Sequence, residues 1–129
     1  MYEWRSHTGE AELRIVGDTA EQIFVDAIDA FSRYVELDRE GEQARREVNV
    51  QAGDRGALLV ELLGELIFLA DTEGFVSDRA SVTLEDDSLR VVLEGRLTRV
   101  SALVKAATYH GLQFEQNGQV WDARIVLDV

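Results

Sequence analysis

The side chains able to do chemistry are few, and their positions limit what they can do. The chain has two histidines, His7 and His110, a single lysine, Lys105, and no cysteine. Thiol nucleophiles, disulfides and zinc thiolates are excluded, and two histidines are too few for a typical histidine-based metal site. Ser6 and His7 set a hydroxyl beside a base, but neighbours in an extended segment point to opposite faces. No Walker-type phosphate loop, nucleophile elbow or His-Glu-x-x-His helix occurs. Oxygen donors remain. Glu10 stands near the start of a strand, and Asp128 stands beside Val129, whose main-chain carboxylate adds a second donor group. Such donors suit Ca²⁺ or Mg²⁺, and Ca²⁺ accepts irregular sets of carboxylates and carbonyls. With 25 acids in the chain, two acids at strand ends are usually no more than a solvated surface. Spacing alone leaves both readings open. Lys105 lies in a run of apolar and small residues, Leu103, Val104, Ala106 and Ala107. Its ammonium needs a partner carboxylate or a route to water, and an ordinary surface lysine meets the second condition.

The charge balance narrows the partners. The 25 acids face 13 Lys and Arg, giving a net charge of −12. That field repels phosphates, so direct nucleic acid binding is disfavoured and attraction to a basic protein surface is favoured. Any part in RNA chemistry would then pass through another protein. No basic start with an apolar run follows Met1, and the apolar stretch Ala57 to Ala70 is interrupted by Glu61 and Glu65, so no membrane span is expected. A soluble cytoplasmic protein is the expectation. At 129 residues with 46% hydrophobic content, residues 1–129 are expected to form a single domain with its own core.

The elements that must position these residues follow from periodicity. Leu13 and Ile15 alternate with Glu12 and Arg14, which predicts a strand that Gly17 ends. Asp18, with Glu21 three residues on, predicts a helix start. Ile23, Phe24, Ala27, Ile28, Phe31 and Val35 then keep helical spacing. A charged loop over Asp38 to Gln43 leads to an alternating strand from Arg45 to Ala52. Asp54 is placed to cap a second helix, whose leucine stripe reads as core and whose stop falls at Gly74. Beyond Phe75 the period shortens to two: strands Ala80 to Leu84 and Leu89 to Leu93 flank a polar turn, and a less regular stretch runs from Gly95 to Leu103. Asn117-Gly118 marks a hairpin before a last strand carrying Trp121, Ala123, Ile125 and Leu127 on one face. Trp4, Trp121 and Tyr109 read as packing residues. The fold class is α+β, with two helices packed on one face of a largely antiparallel multi-stranded sheet.

Four blocks in order carry a family resemblance. Ser6-His7-Thr8-Gly9-Glu10 with Gly17-Asp18-Thr19 resembles the opening of the archeases, in which an acidic residue precedes His-Thr-Ala-Asp. Leu58-Leu59-Val60-Glu61 with Glu65 to Phe75 resembles their second helix and its turn. Lys105-Ala106-Ala107-Thr108-Tyr109-His110 resembles their Lys-Ala-x-Thr-Tyr-His block, and Ala123 to Val129 resembles their ending, an apolar strand closed by Asp and an aliphatic residue. The resemblance covers essentially the whole chain. It implies a non-enzymatic partner of an RtcB-type RNA ligase in tRNA splicing or RNA repair, promoting ligase guanylylation and multiple turnover. It also implies a divalent cation, calcium in the family, held by Glu10, Asp128 and Val129, and a functional role in ligase activation for Lys105. The chain departs from the pattern where Ser6 replaces the acid, Gly9 replaces Ala and Glu10 replaces Asp. Glu10 is one methylene longer, so its carboxylate meets a cation from a shifted angle or through both oxygens. These departures raise a second expectation: a divergent metal-binding, chaperone-like or protein-interaction module with another client. A small metal-assisted hydrolase would have only His110 as its general base.

Overall fold

A threonine starts the first helix and an aspartate the second. The computed structural model describes residues 1–101 and 104–129, and in it α1 runs over Ala20–Val35 and α2 over Arg55–Glu73. The cap of α1 is Thr19, whose hydroxyl accepts the Gln22 amide at 3.1 Å; this corrects the expected Asp18 cap by one residue. The apolar face begins at buried Ala20, so the first turn is set there and Thr19, directly before it, takes the capping position. Asp54 caps α2 as expected, accepting the Ala57 amide at 2.8 Å. Gly74 ends it with φ 68°, and its amide donates to Ala70 O at 3.0 Å.

Among the described residues the strands are β1 (Tyr2–His7), β2 (Glu10–Gly17), β3 (Glu42–Gln51), β4 (Phe75–Glu85), β5 (Ser88–Leu97), β6 (Ala106–Asn117) and β7 (Val120–Asp128). All pairings between them are antiparallel, and the class is α+β as the patterns imply. They do not make one sheet. The order is β1-β2-β7-β6 in a four-stranded sheet and β3-β5-β4 in a three-stranded one. Helix α1 packs on β1, β2 and β7 of the first and β4 of the second, while α2 packs on β6 of the first and β3, β4 and β5 of the second. The helices are thus the layer between two sheets. The reason lies in α2, where Leu58, Leu59, Leu62, Leu63, Leu66, Ile67 and Leu69 are all buried. An apolar surface that wide needs cover on more than one side.

Inward residues of the four-stranded sheet are Ala11, Leu13 and Ile15 of β2 and Ala123, Ile125 and Leu127 of β7; Leu89, Val91 and Leu93 of β5 do the same for the other sheet. Burying each Leu or Ile contributes about 1.5–3 kcal/mol before entropy is counted. Strand β1 was not legible as a strand because its inward residues, Tyr2 and Trp4, are aromatic and only half-buried. The Trp4 ring lies on Tyr34 at 4.5 Å between centroids, and Trp121 meets Phe114 edge-on at 5.8 Å, so both tryptophans pack as expected. Tyr109 does not. It is 59% exposed, because the register of β6 slips between Thr108 and Gln113 and carries it off the ladder. Of the apolar run before Lys105, Leu103 lies outside the described residues, while Val104 is buried. The hairpin at Asn117 closes with Asn117 paired to Val120, and Gly118 at φ 66° takes the first turn position.

Candidate functional site

The inward residues of β2 and β7 decide where their acids go. With Leu13, Ile15, Ile125 and Leu127 in the core, Glu10, Glu12, Asp122, Arg124 and Asp128 stand on the outer face. Glu10 pairs directly with Asp128, so two carboxylates sit opposite each other on neighbouring strands. Ala106 of β6 pairs with Asp128 from the other side, and His7 of β1 pairs with Glu10, completing one row across the sheet. The main chain draws the ends of this row together. The Lys105 amide donates to Asp128 O at 2.7 Å, and the Val129 amide donates to Gly9 O at 3.0 Å. Gly9 turns β1 into β2 with φ 74°, a left-handed backbone that glycine adopts without strain. The structure therefore brings Glu10, Asp128, Val129 and the Lys105 backbone to one end of the four-stranded sheet, although Glu10 and Asp128 are far apart in the chain.

Asp128 and Lys105 are exposed and Glu10 is half-buried. Among the described residues, neither carboxylate nor the Lys105 ammonium has an ion-pair or hydrogen-bond partner. Like charges directly opposite on paired strands are unfavourable, and among the described residues no cation pairs with them. The next row inward is handled differently. Glu12, only 8% exposed, accepts from Arg124 Nε at 2.6 Å, and Arg14 donates to Asp122 at 2.9 Å. The hydrogen bond to Asp122, then its charge, raises the Arg14 guanidinium above its ordinary value. Arginines neutralise these rows, and the end row is left acidic.

As a cation site the end row supplies two carboxylates and a main-chain oxygen of Val129, all hard donors that fit Ca²⁺ better than a soft metal. Among the described residues no three His, Cys, Asp or Glu side chains gather as a complete metal cluster. Ser6 and His7 occupy successive positions of β1 and so opposite faces. His110 lies exposed in the irregular part of β6, and among the described residues no hydrogen bond or ion pair joins it to Glu10 or Asp128.

Comparison with known proteins agrees with this layout of elements. The model of the Archease protein family (MTH1598/TM1083) matches residues 2–129. The chain belongs to the archease family. Its archease relatives include proteins named protein archease from Thermococcus gammatolerans, 31% identical over 99% of this chain and 98% of the relative, and from Pyrobaculum neutrophilum, 30% identical over 99% and 95%. The solution structure of Methanobacterium thermoautotrophicum protein 1598 superposes with a TM-score of 0.71 at 26% identity, covering 99% of this chain and 98% of that one. The crystal structure of an archease from Thermotoga maritima, described as a possible chaperone, shares the fold with a TM-score of 0.67 at 22% identity, covering 100% and 98%. No helix among the described residues is long and apolar enough to cross a membrane.

One polar cluster of this archease gave no signal in the sequence. Arg96 of β5 is buried, and its guanidinium donates to Glu36 Oε2 at 2.6 Å, to Asp38 O at 3.0 Å and to the Asp78 carboxylate. Arg39 adds a 2.9 Å bond to Glu36. Burial pushes the Glu36 carboxyl up, but hydrogen bonds and charge from Arg39 and Arg96 outweigh it and hold the group below the ordinary carboxylate range. Burial likewise opposes the charge on Arg96, and Glu36 and Asp78 raise it above its usual value. These residues are 18 and 60 positions apart in the chain, so no local spacing could reveal them. The cluster ties the segment after α1 to the three-stranded sheet and is structural.

Proposed function

We propose that the chain is an activating partner of an RtcB-type RNA ligase in tRNA splicing or RNA repair, a cytoplasmic accessory protein that raises ligase guanylylation and turnover and does no chemistry of its own. The observation that carries this reading is the unpartnered end row, Glu10 opposite Asp128 with Val129 and Lys105 beside it, formed from the blocks that resemble the archease motifs. Glu10, Asp128 and a main-chain oxygen of Val129 would hold a divalent cation, calcium by its tolerance of irregular oxygen donors. When bound, the cation supplies positive charge at an otherwise acidic edge. Three donor groups leave several of the six to eight positions that calcium fills to water or to a partner's groups. Lys105, exposed next to that edge, orients a phosphate or carboxylate of the partner. The surrounding negative charge speeds encounter with a basic, RNA-binding surface and keeps the chain off RNA itself.

The test is guanylylation of the ligase from the same organism, with GTP and Mn²⁺, with and without substoichiometric amounts of this protein. The expected result is faster labelling and several ligation turnovers per ligase, both reduced by Lys105→Ala and by Asp128→Ala. A folded protein that binds Ca²⁺ and leaves the ligase unchanged overturns the reading in favour of a different client, and turnover of nucleotide or RNA by the isolated chain overturns it in favour of an enzyme.

A further inference from the structure

Among the described residues the exposed aromatic side chains are Phe68 and Tyr109, each 59% exposed. A lone exposed apolar residue needs no explanation. Phe68 differs in its company. Glu61, Glu65 and Phe68 stand at i, i+4 and i+7 on the solvent face of α2, with Asp71 three residues on, and all four are exposed. Tyr109 of β6 reaches this stripe through a 3.5 Å hydrogen bond to Glu61. The last turn of α2 has no basic residue, although cations are what the negative end of a helix favours. Glu73 there is tied to Arg46 at 2.6 Å, whereas Asp71 has no ion-pair partner among the described residues. Helix stability does not account for Asp71 in this place, and among the described residues no arginine pairs with Glu61, Glu65 or Asp71.

We propose that Glu61, Glu65, Phe68 and Asp71 of α2, with Tyr109 of β6, form a docking surface for a basic protein surface that carries an apolar socket for the Phe68 ring. An aromatic anchor ringed by polar groups is the usual make-up of an energetic centre in an interface. Arginines on the partner would meet both the carboxylates and the ring faces. Other occupants fit worse. A second copy would bring the same acids against themselves, and nucleic acid or an anionic membrane would be repelled. Strand β6 links the surface to the candidate site: Tyr109 lies three residues from Ala106, about 10 Å along the strand, and Ala106 pairs with Asp128. This inference rests on the proposed reading, in which the partner is an RNA-handling enzyme and needs such a basic surface.

The experiment measures association and dissociation of the full chain with the RtcB-type ligase at two salt concentrations. It compares Phe68→Ser, Phe68→Leu, the double variant Glu61→Arg with Glu65→Arg, and the control Glu47→Gln on the outer face of β3. Phe68→Ser is expected to weaken binding about tenfold or more through faster dissociation, with Phe68→Leu in between. The charge reversals slow association about tenfold and flatten its salt dependence, and Glu47→Gln binds as the parent does. All sites are exposed, so unchanged melting temperatures confirm that the variants fold. If the parent binds and activates the ligase and the Phe68 and glutamate variants do the same, the docking surface is wrong and the activator reading stands. If the parent neither binds nor activates, both fall together. A concentration-dependent dimer of the chain that Phe68→Ser dissolves would overturn the proposal by giving the face to a second copy.

Discussion

Glu36 and Asp78 converge on a buried arginine, whereas Glu10 and Asp128 face each other across two strands with no ion-pair partner among the described residues. Both pairs are built from the same residue types in the same acidic chain. The difference is in what each pair is allowed to do. Around Arg96 every carboxylate has a donor, Arg39 adds a second cation, and the result joins α1 to the three-stranded sheet. Burial there makes separation of the charges costly and fixes one geometry. At the end of the four-stranded sheet the carboxylates reach the surface and, among the described residues, have no ion pair, so they remain open to a cation from outside. Rows of the same sheet that arginines do neutralise, Glu12 with Arg124 and Asp122 with Arg14, show that the chain could have closed the end row in the same way.

The contrast can be broken most severely from its buried side. Arg96→Met leaves Glu36 with only Arg39 and removes the cation facing Asp78. Loss of one partner from a buried pair costs about 3 kcal/mol, so urea unfolding at neutral pH should show a much lower midpoint. Adding Glu36→Gln to that variant should recover part of the loss, because the stranded charge is gone. A midpoint unchanged by Arg96→Met would mean that the cluster is solvated in solution. The same cluster sets a pH dependence. The folded-state pKa of Glu36 is held below its ordinary value of 4.5, so across that interval the unfolded chain binds more protons than the folded one. The stabilisation is therefore full above pH 4.5 and is lost as the pH falls through the depressed value. The chain carries 25 acids, so the measurement is a difference: the loss of stability between about pH 5 and pH 3 should be smaller in Glu36→Gln than in the parent. An intermediate case sharpens the comparison. Glu12→Gln weakens the bond from Arg124, whose own side chain is 38% exposed, and should cost about 1 kcal/mol by urea unfolding.

How much of this could be read from residues alone differs between the two regions. The helices were legible because Ile23, Phe24, Ala27 and the α2 leucines keep a strict spacing, and Gly74 and Asp54 do their expected work at its ends. The division into two sheets was not, since alternation tells which face of a strand is buried and nothing about its neighbours. Glu10, Asp128, Val129 and Lys105 could be named from motif blocks, and the register β2-β7-β6 is what puts them in one place. Arg96 with Glu36 and Asp78 was invisible: a buried arginine looks like a surface one in the sequence, and its partners lie on other elements. Tyr109 was misread because the slip in β6 depends on tertiary packing and leaves no periodic trace.

The smallest effect is expected where the two carboxylates oppose each other, and its sign is the informative part. Removing a charge from an ordinary ion pair destabilises. Glu10→Gln or Asp128→Asn instead relieves a repulsion across β2 and β7, worth about a few tenths of a kcal/mol at the surface, so without added metal the melting temperature should hold or rise slightly. Calcium reverses the order. A ligand that binds only the folded chain stabilises it by RT ln(1 + [L]/Kd), about 2.7 kcal/mol when present at a hundredfold excess over Kd. The parent should therefore gain thermal stability as Ca²⁺ is titrated in, and both variants should gain little. A parent whose melting temperature ignores Ca²⁺, Mg²⁺ and Mn²⁺ alike would mark Glu10 and Asp128 as solvated acids and remove the cation from the proposed mechanism. A loss of stability in the metal-free variants would show instead that a partner for these carboxylates already exists within the chain, and the contrast with the Arg96 cluster would then be one of degree.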